Sequence, residues 1–172
     1  HQGRVVVGAS DDYPRRLDFT QTGGFSPTFL NFQPTERDGQ TVDSNGISIE
    51  IGSGDGSPLQ WIQSIDGALG VGSTSSTGVV EGGAAGSGST ITPSNASYRQ
   101  QDSSGSSSIQ PLVVGKSLIH TSRIGRRLYE MTYGIESDGY SALNITELAE
   151  NLTRSGVIDI AWQQNPINTL WC

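Results

Sequence analysis

The chain has one cysteine, Cys172, among its 172 residues, so it cannot form an internal disulfide and is unlike small secreted domains held together by bridges. This alone leaves an export route open. No stretch approaches the roughly twenty consecutive apolar residues of a membrane-spanning helix, and the start lacks the pattern of a signal peptide. No membrane partner is therefore expected. Cations are scarce: 10 Lys and Arg stand against 17 Asp and Glu, for a net charge of -7. Such a balance weighs against a surface that grips nucleic acid everywhere, because that needs clustered Lys and Arg, but it leaves room for a surface that DNA slides past. Only 16% of the residues are charged and 33% are hydrophobic, while glycine occurs 23 times. That composition favours many short strands and turns over helical bundles. The length suffices for one domain with a real core.

Pairs of short strand-like runs separated by turn residues are abundant. Arg4-Val5-Val6-Val7-Gly8-Ala9 and Arg16-Leu17-Asp18-Phe19-Thr20 flank the turn Asp11-Asp12-Tyr13-Pro14. Ile47-Ser48-Ile49-Glu50-Ile51 alternates strictly, as a strand with one buried face does. Leu59-Gln60-Trp61-Ile62-Gln63 and Ala68-Leu69-Gly70-Val71 bracket Asp66-Gly67, a strong tight-turn signal. Ser117-Leu118-Ile119-His120 pairs likewise with Arg127-Leu128-Tyr129-Glu130-Met131 across Arg123-Ile124-Gly125, and Val157 to Trp162 leads through Asn165-Pro166 to Thr169-Leu170-Trp171. The hairpins begin near residues 4, 59, 117 and 157, an irregular repeat compatible with propeller blades or with a sandwich. The expected fold class is mainly β, with propeller-like blades of short antiparallel strands.

One short helix is predicted, capped by Ser141 or Asn144, with Glu147 near its first turn and an apolar stripe of Ile145, Leu148, Ala149 and Leu152 ending at Gly156. It is expected to pack on a sheet edge. Two Gly/Ser-rich stretches, about 72–89 and 94–108, read as soft loops, the second carrying bulky Tyr98, Arg99, Gln100 and Gln101 and so able to contact a neighbouring subunit. Thr169 to Cys172 resembles a strand just beginning, so residues 1–172 are expected to be part of one larger β domain.

Few residues invite chemistry. His1 and His120 are the only histidines, and together with a free terminal amine they would make a copper-binding brace, although the secreted enzymes that use one usually carry disulfides. The acidic Asp11, Asp12, Asp43 and Asp55 sit in turn-like segments without the spacing of a calcium loop. The sequons at Asn95, Asn144 and Asn151 arise easily by chance in a chain this rich in Ser and Thr. Arg15-Arg16 and Arg123 with Arg126-Arg127 are the basic clusters, and stacked hairpins would place them on one rim, facing a neighbour's acids or passing phosphates. Exposed aromatics such as Tyr13 or Trp61 would serve a carbohydrate-binding module, whereas Trp61 in an alternating strand is more often core. There is no nucleophile with a base and no phosphate-cradling glycine loop. No catalytic, cofactor-binding or metal residue is assigned, and no enzyme is expected.

Several runs resemble, in order, the middle of a known family. They are Gln2 to Ser10 with Tyr13-Pro14-Arg15-Arg16, Leu59-Gln60-Trp61-Ile62 with Leu69-Gly70-Val71-Gly72-Ser73, Ile91-Thr92-Pro93-Ser94-Asn95, Ile109-Gln110-Pro111, Glu136-Ser137-Asp138-Gly139-Tyr140 and Ala161-Trp162-Gln163-Gln164-Asn165-Pro166. The family is the tail nozzle of short-tailed bacteriophages, also called tail tubular protein B or packaged-DNA stabilisation protein. The resemblance implies a non-enzymatic virion component built around a β-propeller. It would assemble as a homo-oligomeric ring, a hexamer, below the portal and its adaptor in the tail, retain the packaged DNA and conduct it during ejection. Family members are much longer than this chain, which also carries a Gly/Ser insertion around Gly82 to Ser89.

Overall fold

The architecture is that of a computed structural model, which describes residues 1–23, 30–35, 38–52, 56–84, 87–136 and 139–172. Among these residues the strands form four antiparallel sheets, each built from strands that follow one another in the chain. Sheet I comprises β1 (Val6–Gly8), β2 (Arg16–Phe19) and β3 (Ile47–Glu50). Sheet II comprises β4 (Leu59–Ser64), β5 (Leu69–Ser73), β6 (Thr77–Gly82) and β7 (Ala96–Asp102). Sheet III comprises β8 (Leu112–Val114), β9 (Ser117–Thr121), β10 (Leu128–Gly134) and β11 (Gly139–Asn144). Sheet IV is the hairpin of β12 (Ala161–Gln163) and β13 (Thr169–Trp171).

Local chemistry accounts for the hairpins. In β3 the alternation holds, with Ile47 buried, Ser48 and Glu50 exposed and Ile51 buried just beyond the strand. Between β4 and β5, Ile65 and Ala68 exchange both backbone hydrogen bonds around Asp66-Gly67, and Gly67 takes φ +78°, the left-handed conformation that such a two-residue turn requires.

Each sheet buries a face against the next. Leu17, Phe19 and Ile47 of sheet I, with Ile51 just beyond it, meet Leu59, Leu69, Val71 and Val80 of sheet II. On the other side of sheet II, Trp61, Ile65 and Val79 meet Leu118, Met131 and Tyr140 of sheet III. A third cluster joins Leu128 to Val157 and Ile160, with Leu170 of sheet IV packed against it. A β-bulge between Leu59 and Trp61 lets two residues of like parity serve opposite faces of sheet II.

The Gly/Ser-rich stretches are where the structure departs most from expectation. The first holds the end of β5 and all of β6, whose residues are all buried, and the second holds β7. Glycine here is a packing residue. A Cβ on Gly72 would lie 2.2 Å from Cε2 of Trp61, and one on Gly78 would lie 2.5 Å from Cε2 of Tyr98. These large rings lie directly over bare backbone, filling volume that side chains on those two residues would occupy.

The predicted helix is also corrected. Only a 3₁₀ turn, Glu147–Ala149, forms, following directly on β11. Asn144 does not cap an α-helix: its Oδ1 accepts from Thr146 N (3.0 Å) and Thr146 Oγ1 (2.9 Å), a local turn that competes with helix. Leu148 and Leu152 of the supposed stripe are exposed rather than packed on a sheet edge. In the last hairpin the strand begins at Ala161, while Val157 and Ile160 reach the core from irregular backbone.

Candidate functional site

Two loops build an open concave feature. The β9–β10 connection turns at Gly125, whose N–H bonds Ser122 O (2.8 Å), and the segment after β11 is stitched to it at four points. Ile145 N bonds Leu128 O (3.0 Å) and Val157 N bonds Gly125 O (2.6 Å). The Thr146 hydroxyl accepts from Leu128 N (3.2 Å), and the Thr153 hydroxyl donates to Arg126 O (2.7 Å). Both threonines are buried, so the hydroxyls of two predicted sequons act as staples between loops. The third sequon is similarly engaged, with Asn95 Oδ1 accepting from Thr92 N and Nδ2 donating to Thr90 O.

The stitched loops enclose an open cleft of about 760 Å³ whose walls include Arg123, Arg126, Arg127, Arg154, Tyr129 and Glu150. Arg127 is occupied, its Nη2 lying 3.0 Å from Glu150 Oε1, and the Tyr129 side chain first and then Glu150 hold its guanidinium more firmly protonated. Arg123, Arg126 and Arg154 are exposed and make no ion pair among the described residues. Sequence reasoning found three of the four arginines. Arg154 lies 27 residues beyond Arg127, and only the staples bring its loop to the β9–β10 turn.

Behind the cleft, His120 is fully buried between Trp61 and Tyr129, with ring centroids 5.7 and 5.6 Å away, and its Nδ1 lies 3.2 Å from Ser106 Oγ. Burial pushes its pKa down to about 4, opposed by a backbone hydrogen bond at Thr121 and by the charge of Asp102. His120 is thus neutral in the fold below the pH at which the unfolded chain has taken up its proton. Its contribution is complete above pH 6.5 and is lost as pH falls towards 4, about 3 kcal/mol in all. Urea denaturation at pH 7 and pH 4.5 is expected to show this loss, and His120→Phe to reduce the difference between the two. Equal pH dependence in both proteins would show that His120 is not the group responsible.

The other sequence candidates are not gathered into a site. His1 bonds Ser64 Oγ through Nδ1 (2.7 Å), and its terminal amine donates to Arg4 O (3.0 Å), while His120 is enclosed in the core and meets Ser106 Oγ, so the two imidazoles have separate hydrogen-bond partners. Trp61 is buried and unable to meet a sugar. Tyr13 is exposed, but its ring carries the Arg16 guanidinium 4.0 Å from the centroid. Arg15 and Arg16 pair with Glu50 and Asp18 and line no part of the cleft. Asp55, Ser137 and Asp138 lie outside the described residues. No group of three His, Cys, Asp or Glu side chains suited to a metal occurs among the described residues, and no helix there is long and apolar enough to cross a membrane.

A feature invisible in the sequence is Arg4. It is almost fully buried, and its guanidinium donates to the backbone carbonyls of Thr20, Asn45 and Asp43, each at 2.6 Å.

No known family model matches the chain, and no curated protein is significantly similar to it.

Proposed function

We propose that the chain is a blade-bearing segment of a structural virion protein of a phage tail, part of a ring-shaped nozzle below the portal and its adaptor that retains packaged DNA and conducts it during ejection. The observation that carries this reading is the serial stacking of small antiparallel meanders, with a separate core between each successive pair. Meanders packed face to face in chain order are the building principle of a propeller, in which each blade covers the next. The runs that carry the resemblance fall in sheet I, sheet II, the connections before and after β7, the start of β11 and the terminal hairpin.

Two surface properties agree with assembly into a larger body. Apolar side chains are exposed towards the end of the stack, among them Leu143, Leu152, Ile158, Ile167 and Trp171. Their concentration suits burial against a further sheet or a neighbouring subunit. The net charge of -7 would keep a DNA channel from gripping its cargo. The role is mechanical and involves no catalysis.

Mass photometry of the native source protein, with electron microscopy of particles that contain it, tests the reading. A ring on the tail of a short-tailed phage is the expected result. A monomer that is absent from any particle would overturn it.

A further inference from the structure

The arginine-lined cleft is electrostatically out of character with the rest of the molecule. Its four arginines against Glu150 give +3, which leaves -10 for the remainder of a chain whose net charge is -7. Like charges crowded into one cleft repel one another, and a solvated arginine gains nothing from such company. Arg127 has its carboxylate in Glu150, but Arg123, Arg126 and Arg154 have none among the described residues. Their backbones are nevertheless fixed. Thr153 holds Arg126 by its carbonyl, and Val157 holds Gly125 by its own.

We propose that this cleft is a phosphate-binding site. A planar guanidinium offers a fork of donors that matches two phosphate oxygens, and a phosphate concentrates more charge and more acceptors in one place than a carboxylate does. Three unpaired forks around one opening call for that density. Tyr129, backed by His120 at 5.6 Å, adds a firmly supported aromatic ring to the wall. The volume, about 760 Å³, suits a compact oligophosphate, and because the cleft is open it can equally take consecutive phosphates of a nucleic-acid backbone running past. An acidic segment of a second copy is a poorer occupant, since its carboxylates are singly charged and the chain that delivers them is itself negative. The inference stands on the cleft alone. In a DNA-conducting ring it would supply a weak, salt-sensitive contact of about three phosphates per subunit.

The test uses the full chain at low salt. Fluorescence anisotropy follows a labelled DNA duplex of about 20 base pairs, and calorimetry follows inorganic tripolyphosphate. Binding of at least one is expected, with the duplex affinity falling on a log–log salt plot with a slope near ~2.7, about 0.9 for each of three phosphates. The Arg126→Ala/Arg154→Ala double variant is expected to weaken binding by about tenfold or more and to reduce that slope by about 2, with an unchanged thermal midpoint because both side chains are exposed. Arg15→Ala/Arg16→Ala, which removes equal charge from sheet I, should leave binding within about twofold. Duplex binding without tripolyphosphate binding identifies a nucleic-acid backbone as the source, and the reverse identifies a free phosphate ligand. Absence of both, equal loss in the two double variants, or a change confined to self-association would overturn the proposal. Ring formation is scored separately, so failure of the site and failure of the nozzle reading remain distinct.

Discussion

Arg4→Met is expected to destabilise the protein by about 3–5 kcal/mol, seen as a large drop in the urea midpoint at neutral pH. The guanidinium holds three backbone carbonyls at 2.6 Å, those of Thr20, Asp43 and Asn45, and so clasps both ends of the long connection between β2 and β3. Burial lowers its pKa by desolvation, and among the described residues no ion pair compensates it. Methionine keeps much of the apolar volume but leaves those carbonyls without donors, the costly half of breaking a buried hydrogen bond. Lysine is expected to restore only a fraction, since an ammonium cannot spread its donors as a planar fork does. Arg15→Ala is the control: its ion pair with Glu50, whose side chain is 66% exposed, should be worth less than about 1 kcal/mol. An Arg4→Met protein within about 1 kcal/mol of the parent would mean that the clasp contributes no more than a surface contact.

The second large effect is expected at Gly72. Adding only a methyl group there places a Cβ 2.2 Å from the Trp61 ring, and neither can yield cheaply, because β5 is hydrogen-bonded on both sides and Trp61 is packed between sheets II and III. Gly72→Ala should cost about 3 kcal/mol, at the upper end of overpacking. Gly52→Ala provides the contrast, since a Cβ there meets nothing within 4 Å and its φ is not left-handed. That variant should be neutral, or more stable by up to about 1 kcal/mol through the unfolded chain. Trp61→Leu alone should also destabilise the fold, yet combined with Gly72→Ala it should lose less than the sum of the two, because the clash is relieved. Strict additivity would show that ring and glycine do not share the same space.

The parts of the fold that could be read from the residues are those set by neighbours in the chain. Asp66-Gly67 specifies its hairpin because a two-residue turn needs a left-handed residue, and Ile47 to Ile51 specifies a half-buried strand because alternate side chains face opposite ways. The misread parts all involve distant partners. Residues 72–89 have the composition of a linker, and β6 is nonetheless a buried strand because Trp61 and Tyr98 supply the side-chain volume that Gly72 and Gly78 lack. The apolar spacing of Ile145, Leu148 and Leu152 imitates a helix, but the Asn144–Thr146 turn and the hydrogen bonds of Thr146 and Thr153 to residues 126–128 hold that segment irregular. The candidate cleft was half visible: Arg123, Arg126 and Arg127 stand together in the chain, while Arg154 and Glu150 reach them through those same threonines.

By itself, the sequence determined the β class, the hairpins with tight turns, the acidic net charge and the inability to form an internal disulfide, because each depends on composition or on contacts within a few residues. The tertiary structure alone decided that Arg4 is a buried clasp, that His120 is a neutral core residue, that glycine-rich segments are interior strands and that four arginines share a cleft. In each case the deciding energy lies in hydrogen bonds, desolvation or packing between groups far apart along the chain, and neither composition nor periodicity records which distant residue will supply the partner.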